Sequence, residues 1–296
     1  MPELSPGTWL NTAHPLDKRQ LLGQPVLIDF WDYTCVNCLR TLPYLKRWYE
    51  RYNPLGLTII GIHSPEFGFG RLTQEARAAI AEHEIPYPIL LDNGYENWER
   101  FANKAWPSKY LVDSDGYLRF HRQGEGYYRE TETAIQLLIS QHNPQATLPP
   151  LLEPLREEDN SGAVCYRATP ELYAGHRMGG LMGYALGNPE GYAPQGPVLY
   201  EAPPAEEWLE GRFYLEGMWR AWPESVAYAG HREGCIKLPY SAVTVNAVLS
   251  SSADPVEVHL GIQPAGAEPY IEVRQDGRYP HGRQCRSGCG YPTGRP

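Results

Sequence analysis

The 296-residue sequence contains no apolar run of about 18 residues and no excess of positive charge. The first absence argues against a membrane-spanning helix. The net charge of -9 argues against a general nucleic-acid binder, because phosphate binding needs a basic face. The N-terminal sequence MPELSPGTWLNTAHPL has no basic start and no apolar core, so it does not resemble a signal peptide. We therefore predict a soluble chain, cytoplasmic as it stands, with no membrane segment and no nucleic-acid partner.

Cysteine is also scarce, with six residues at positions 35, 38, 165, 235, 285 and 289. This is too few for the disulfide framework of a small secreted domain. Cys165 and Cys235 could pair with each other or be two buried thiols, and the sequence leaves both options open. Only Cys35 and Cys38 are closely spaced inside a strongly patterned region.

Residues 1–142 alternate strand-like and helix-like segments, a pattern typical of strands joined by helical crossovers. Strands are predicted at 25–31, 57–63, 87–92 and, around an Asp-Gly turn, twice within 109–124. Helices are predicted directly after the first strand and at 71–84, 95–104 and 129–142. This part of the sequence therefore predicts an α/β domain that ends with a hairpin and a helix.

The rest of the sequence predicts a second domain. Residues 143–160 contain four prolines and are predicted to be a linker. Over 161–276 apolar residues tend to alternate, which favours a β-rich, sandwich-like domain with strands at 212–219, 242–250, 256–262 and 270–275. Residues 277–296 contain no Ile, Leu, Val, Phe or Met, so we expect an irregular tail.

The stretch VLIDFWDYTCVNCLRTLP places Cys35 after a strand and at the start of a helix. Unpaired backbone N–H groups and a partial positive charge at the helix N-terminus stabilise a thiolate there. The thiolate is the nucleophile in disulfide exchange. Cys38 lies one turn further on, where it could attack the mixed disulfide and release the partner. These two residues therefore predict a redox-active dithiol.

Two alternatives compete with this interpretation. A zinc site needs four ligands, and Cys285 and Cys289 are the candidates to complete it, but they lie in a segment without strand or hairpin pattern. A purely structural bridge would close too short a loop to add much stability. We therefore predict no metal and no cofactor.

Asp29 and Pro107 are further candidates for the site. A carboxylate in a buried strand should have a raised pKa and could exchange a proton with Cys38 through water. The alternative for Asp29 is a strand-edge residue that faces solvent. Pro107 restricts Trp106 to an extended shape, and the bond between them is either an ordinary trans turn bond or a cis bond.

Several stretches of the sequence resemble a known family. VLIDFWDYTCVNCLRTLP resembles the active site of the thioredoxin superfamily, and GLTIIGIHSPEF and WPSKYLVDSDGYLRFHRQGEGYYRETE resemble its TlpA/DipZ-type branch of bacterial thiol-disulfide oxidoreductases. The resemblance is dense over residues 8–142. Over 160–275 it is weaker, and ATPELYAGHRMG and VTVNAVLS resemble the carbohydrate-binding-module-like domain of DipZ-like proteins. It implies an α/β thioredoxin-like fold plus a second β-sandwich-like domain.

The resemblance implies that Cys35 attacks, Cys38 resolves, Asp29 is the buried acid and Pro107 is a cis-proline. Such a cis bond would present the backbone of Trp106 to a substrate strand. The Val36-Asn37 dipeptide between the cysteines departs from the Gly-Pro of thioredoxin and leaves the direction of electron flow open.

Trp31, Trp106 and Glu66 are the candidates for substrate binding. Glu66 follows the second strand and is predicted at the rim of the site, although a solvated loop glutamate is an equal alternative. Asp32 adds a negative charge near the cysteines. His63 is more typical of a capping or surface residue than of a catalyst.

The leading functional hypothesis is a thiol-disulfide oxidoreductase for protein disulfides, acting as a reductase and supplied by an electron donor, for which a membrane thiol reductase is one candidate. One alternative is a non-catalytic binding or scaffold protein, in which Trp208, Trp219 and Trp222 contact a glycan or partner rather than fill a core. A thiol peroxidase is the other alternative. Peroxiredoxins carry a threonine three residues before the reactive cysteine, whereas here Thr34 is directly adjacent to Cys35. The resemblance also implies an extracytoplasmic or periplasmic location if a leader or membrane segment is missing.

Overall fold

A computed structural model describes residues 1–160, 162–163, 168–183, 185–231, 233–242 and 245–249 of the chain. The predicted strands at 256–262 and 270–275 and the predicted tail lie outside these ranges. Cys165, Cys285 and Cys289 also lie outside them. No helix in the described ranges is long and apolar enough to cross a membrane.

The first part of the chain forms one six-stranded sheet with the strand order β1-β4-β3-β2-β5-β6. The strands are β1 Thr8–Leu10, β2 Val26–Trp31, β3 Thr58–His63, β4 Ile89–Leu91, β5 Ser108–Val112 and β6 Leu118–Gln123. Strands β2, β3 and β4 are parallel, while β1, β5 and β6 run antiparallel to their neighbours. The predicted α/β architecture with a terminal hairpin is confirmed, and β1 is an additional edge strand that the sequence pattern did not indicate.

Five helices accompany this sheet: α1 Lys18–Leu21, α2 Val36–Tyr52, α3 Thr73–Glu82, α4 Glu96–Arg100 and α5 Tyr128–His142. Helix α4 is shorter than the predicted 95–104, because Ala102 has a φ of 49°, outside the helical region. Helix α1 was not predicted. It is a single turn whose start is capped by Asp17.

The alternation of side chains along β2 divides the core into two layers. Leu27 and Trp31 belong to a buried cluster that contains residues of α2 and α5, whereas Ile28 and Phe30 belong to the cluster on the other side. Asp29 points to the same face of the sheet as Leu27, because residues two apart on a strand share a face. The sequence of β2 therefore directs one carboxylate towards the layer that contains α2 and the two cysteines.

The predicted linker packs against the first part of the chain. The carboxylate of Glu132, which is buried, accepts hydrogen bonds from the Leu152 N–H at 2.8 Å and the Tyr52 hydroxyl at 2.6 Å. The Tyr44 hydroxyl donates to Asp159 at 2.7 Å and accepts from the Leu155 N–H at 2.8 Å. We call residues 149–159 the connector, and these bonds fix its path across α2 and α5.

A second sheet follows the connector. Its strands are β7 Val198–Tyr200, β8 Tyr214–Ala221, β9 Val226–Tyr228 and β10 Cys235–Lys237, and it is preceded by helix α6 His176–Met182. All pairings are antiparallel and involve β8, which confirms the strand predicted at 212–219. A sandwich partner for this sheet, like the division into two domains, stays a prediction.

Two expectations for this region are not met in the described residues. Residues 245–249 form no strand, and Val245, Val248 and Leu249 are about half exposed or more, so the strand predicted at 242–250 is wrong there. Trp219 packs in the core of the second sheet with only 8% of its surface exposed. Trp219 therefore offers no open ring face for a ligand, whereas Trp222 is exposed beside the guanidinium of Arg220.

Candidate active site

Cys35 and Cys38 lie at the start of α2, where Cys35 is the N-cap residue. The Cys35 Sγ accepts a hydrogen bond from the Cys38 backbone N–H at 3.2 Å, and the two Sγ atoms are 2.6 Å apart. One of the free amides at the helix N-terminus therefore points at the Cys35 sulfur, which stabilises negative charge there. Cys35 retains 5% of its surface exposed and Cys38 only 1%. The geometry makes Cys35 the accessible nucleophile and Cys38 the enclosed partner.

The Cys38 thiol holds its proton strongly. Burial raises its pKa well above the ordinary value, and the neighbouring Cys35 sulfur raises it further. Cys38 therefore needs a base before it can attack a disulfide at Cys35. A suitable base has to be buried on the same side of the sheet.

Asp29 meets this requirement. Its side chain is buried in the middle of β2, and burial raises its pKa to about 7. The charges of Asp29 and Cys38 influence each other, so the two groups are electrostatic neighbours. Asp29 Oδ1 has no hydrogen-bond partner among the described residues, which leaves it free to bind a proton near neutral pH.

Lys109 lies directly opposite Asp29 on the antiparallel strand β5. The lysine is buried, its ammonium group donates to the Gly124 carbonyl at 3.2 Å, and burial lowers its pKa. The positive charge of Lys109 works against the burial effect on Asp29 and lowers the pKa of that carboxyl. Lys109 therefore helps to set the pH at which Asp29 changes charge.

A second buried pair, Asp32 and His63, connects the loop before Cys35 to the end of β3. His63 Nε2 and Asp32 Oδ1 are 3.0 Å apart, and both side chains are completely enclosed. Asp32 also accepts from the Thr34 hydroxyl at 2.6 Å and from the Glu66 N–H at 3.0 Å, and its carbonyl accepts from the Cys35 N–H at 3.2 Å. These hydrogen bonds hold the pKa of Asp32 below its ordinary value despite burial. Asp32 thus fixes the loop that precedes Cys35 to the rim after β3.

The structure separates the two tryptophans that the sequence suggested for substrate binding. Trp31 is 1% exposed and packs beside His63, so its side chain is enclosed in the core and does not reach a surface where a substrate could bind. Trp106 is partly exposed and packs against the cluster that contains both cysteines. Its Nε1 donates to the Ser64 carbonyl at 2.8 Å, and its bond to Pro107 is cis, as the resemblance implied. Of the two, only Trp106 is partly exposed, so it alone stays a candidate for contact with a substrate.

Glu66 is partly buried and is not a freely solvated loop residue, while its place at the rim of the active site stays a prediction. Burial raises the pKa of Glu66 to about 7, and the neighbouring Tyr173 hydroxyl, from the second part of the chain, lowers it. Glu66 is therefore shared between the site and the residues before α6.

Lys109, His63 and Tyr173 are the residues near the site that sequence reasoning did not select. A partial signal existed for Lys109, because it alternates with Tyr110 and shares a strand face with the apolar Leu111. His63 was interpreted as a capping or surface residue, since nothing local to it in the sequence reveals its contact with Asp32. Tyr173 carries no local signal, because its contact depends on how the later part of the chain packs.

Several known proteins are similar to the first part of the chain. The AhpC/TSA family model matches residues 9–121. Protein DipZ from Mycobacterium bovis is 35% identical over 246 residues, which cover 82% of this chain and 34% of DipZ. Thiol-disulfide oxidoreductase YkuV from Bacillus subtilis is 27% identical over 143 residues, or 48% of this chain and 95% of YkuV. The crystal structure of a thiol-disulfide isomerase from Corynebacterium glutamicum aligns with a TM-score of 0.43 and 21% identity, covering 47% of this chain and 96% of that one.

The chain thus spans about a third of the length of the DipZ protein that it matches. These similarities confirm the predicted resemblance to DipZ-like proteins and to thiol-disulfide oxidoreductases. The carbohydrate-binding-module-like character of the second part stays a prediction. The similarity to the AhpC/TSA family covers residues 9–121, which is less than half of the chain.

Proposed function

We propose that this chain is a thiol-disulfide oxidoreductase that reduces disulfides of client proteins. The observation that carries the proposal is the pair of sulfur atoms of Cys35 and Cys38, 2.6 Å apart at the N-terminus of α2, with a helix amide directed at the Cys35 sulfur. A second observation supports it: Asp29, with a pKa of about 7, is an electrostatic neighbour of the high-pKa thiol of Cys38.

Reduction proceeds by two exchanges. The Cys35 thiolate attacks one sulfur of the client disulfide, the client S–S bond breaks, and the second client sulfur leaves as a thiolate that takes up a proton. Asp29 then accepts the Cys38 proton through water, and the Cys38 thiolate attacks the Cys35 sulfur of the mixed disulfide. The client leaves with two thiols, and the chain is oxidised by two electrons to a Cys35–Cys38 disulfide.

A further turnover needs an external dithiol to reduce that disulfide. The resemblance suggests a membrane thiol reductase as the donor, and an extracytoplasmic location would follow from it. Trp106 and Pro107 are proposed to contact the client beside the dithiol, because Trp106 is partly exposed and packs against the cluster that holds both cysteines.

Insulin reduction tests the proposal. The wild-type chain, reduced beforehand and supplied with dithiothreitol, should accelerate insulin precipitation, and Cys35→Ser should reduce the rate to that of dithiothreitol alone. Cys235→Ser is the matched control, because Cys235 is an exposed thiol on β10, outside the dithiol. A Cys35→Ser variant as active as wild type would overturn the proposal.

The two alternatives have less support. Trp222 is exposed and could stack on a sugar, but Trp219 is in the core and Trp208 stacks on Tyr214, so the described tryptophans form no shared platform. A peroxidase of the peroxiredoxin type would need a threonine three residues before Cys35. That position is Asp32, whose carboxylate is already hydrogen-bonded to His63, Thr34 and the Glu66 amide. Thiol-disulfide exchange is the chemistry that the dithiol geometry supports best.

A further inference from the structure

A partly enclosed cavity of ≈ 120 Å³ lies between the rim of the dithiol site and the second part of the chain. One wall consists of Glu66, Phe67, Tyr95 and Trp106, and the other of Tyr173, Arg177, Met178 and Glu224. One water-sized probe needs roughly 10–15 Å³, so the cavity has room for several heavy atoms of a side chain.

The aromatic part of the lining is held in place. The Trp106 indole N–H donates to the Ser64 carbonyl at 2.8 Å, and the Tyr95 hydroxyl donates to the Pro65 carbonyl. The ring of Trp106 also packs on Trp98, with ring centroids 4.2 Å apart. Because their polar atoms are engaged with the backbone of the rim, these rings contribute mainly aromatic carbon surface to the cavity.

The opposite wall is anchored to the rim by Glu224. Its carboxylate accepts from the Gly68 N–H at 2.9 Å and from the Arg177 guanidinium at 2.7 Å. Gly175 lets the chain before α6 pass close to this residue, because a Cβ there would lie 2.4 Å from the Glu224 carbonyl carbon. Arg177, the single basic residue in this lining, is therefore paired with Glu224.

Glu66 is left without a cation. The described groups that act on its carboxyl are the Tyr173 hydroxyl and the carboxylates of Glu171 and Asp32. The Tyr173 hydroxyl also lies 3.4 Å from Glu171 Oε2, and a phenol has a single proton to donate. When Glu66 is ionised, two carboxylates therefore share one donor, and no described cation pairs with Glu66.

Aromatic rings combined with an uncompensated carboxylate form a typical binding site for a cation. We propose that this cavity binds a lysine or arginine side chain of the client protein, next to the client cysteine that Cys35 attacks. The inference rests on the proposed function and extends it, because it assigns a substrate class: disulfides flanked by a basic residue. It also gives the second part of the chain a role in substrate selection, through Tyr173 and the residues around α6.

Three dimeric peptide disulfides test the proposal. They are identical except that the residue beside cysteine is lysine, norleucine or glutamate. Single-turnover reduction by the reduced full chain is followed by acid quenching and chromatography, and kcat/KM is obtained for each peptide. We expect the lysine peptide to react about fivefold or more faster than the norleucine peptide at pH 8, and the glutamate peptide to be slowest.

Two variants separate the cavity from the net charge of the chain. Glu66→Gln should reduce the lysine preference to about twofold or less. Glu82→Gln changes the net charge equally but alters an exposed residue at the end of α3 that does not line the cavity, so it should retain the preference. Equal losses in the two variants would attribute the preference to bulk charge and overturn the proposal.

The pH dependence of the peptide ratio adds a readout that a purely structural role would not change. Glu66 has a pKa of about 7, so its negative charge, and with it the lysine preference, should be present at pH 8 and largely lost at pH 6. The Tyr173 hydrogen bond lowers the pKa of Glu66. Tyr173→Phe should therefore move the midpoint of the preference to higher pH.

The outcomes distinguish the two proposals. If the wild-type chain reduces all three peptides equally, the cavity does not select basic residues, and the oxidoreductase function stands. If it does not reduce even the norleucine peptide, the proposed function fails and the inference fails with it.

Discussion

Asp29 and Lys109 face each other across the antiparallel strands β2 and β5, and both side chains are buried. Burial raises the pKa of the acid and lowers that of the base, while each charge opposes the shift of the other. The pair therefore places a proton acceptor that titrates near neutral pH behind the enclosed thiol of Cys38. The following predictions test how this arrangement and its surroundings work.

Replacing the resolving cysteine should trap the client. Cys38→Ser leaves the Cys35 nucleophile intact but removes the sulfur that attacks the mixed disulfide. We expect a covalent adduct between Cys35 and a client cysteine to accumulate, visible by non-reducing electrophoresis and mass spectrometry. Trapping of the same amount by Cys35→Ser would contradict the assignment of the two roles.

Replacing the buried acid should slow the second exchange selectively. Asp29→Asn removes the group that accepts the Cys38 proton, and general-base catalysis typically contributes about 10²–10⁴-fold. We expect release of the client from the mixed disulfide at pH 7 to slow by at least about 10²-fold, while its formation changes little. Stopped-flow fluorescence with a disulfide peptide separates the two steps, and an equal effect on both would count against a role for Asp29 in resolution.

The same variant should alter the pH dependence of stability. The pKa of Asp29 rises from 3.8 in the unfolded reference to about 7 in the folded chain, so its contribution is fully present below 3.8 and is lost as the pH rises through 7. This difference corresponds to roughly 4 kcal/mol at most. Urea unfolding should therefore show Asp29→Asn gaining stability relative to wild type between pH 4 and pH 8. Parallel pH profiles for the two proteins would show that Asp29 is not a buried, high-pKa group.

Lys109 should set the pH at which resolution operates. Lys109→Met removes the positive charge that lowers the pKa of Asp29, so the pKa of the carboxyl should rise. We expect the pH midpoint of client release to move upward by the same amount. Lys104→Met, at an exposed position before β5, should leave the midpoint where it is in wild type.

The pair of Asp32 and His63 should matter for stability more than a surface ion pair does. Asp32→Ala leaves His63, Thr34 and the Glu66 amide without their acceptor, and breaking a buried pair typically costs about 3–5 kcal/mol. Because the folded-state pKa of Asp32 is lowered, this contribution is present above 3.8 and is lost as the pH falls through the folded value. Urea unfolding at pH 7 measures it, and Thr34→Ala, which removes one hydrogen bond, should cost only about 1 kcal/mol.

The local parts of the site were predictable from the sequence. Cys35, Cys38 and Asp29 occupy one strand-to-helix segment, so spacing alone brings them together. Lys109 and His63 act through partners that are distant in sequence, and the pairing of β2 with β5 and β3 brings those partners close. The burial of Trp31, which was a candidate for substrate binding, follows from the alternation of β2, which directs its ring into the core.

The order of strands and helices in the first part of the chain was equally predictable, since alternating segments with strong periodicity determine it. The short elements were not. Strand β1 consists of Thr8–Leu10 and exists because it pairs with β4, and three residues carry too little periodicity to predict it. The strand predicted at 242–250 failed over the described residues, because alternating valines form a strand only where a neighbour pairs with them.

The connector has a practical consequence for dissecting the protein. Its backbone supplies a hydrogen bond to the buried carboxylate of Glu132, and Asp159 accepts the hydroxyl proton of Tyr44, a residue of the helix that carries the dithiol. A truncated protein that ends at His142 would lack these hydrogen-bond partners of α2 and α5, and the surface that the connector covers on both helices would be exposed to water. A minimal redox unit should therefore be cut after Asp159, although the sequence pattern alone would have set the cut seventeen residues earlier.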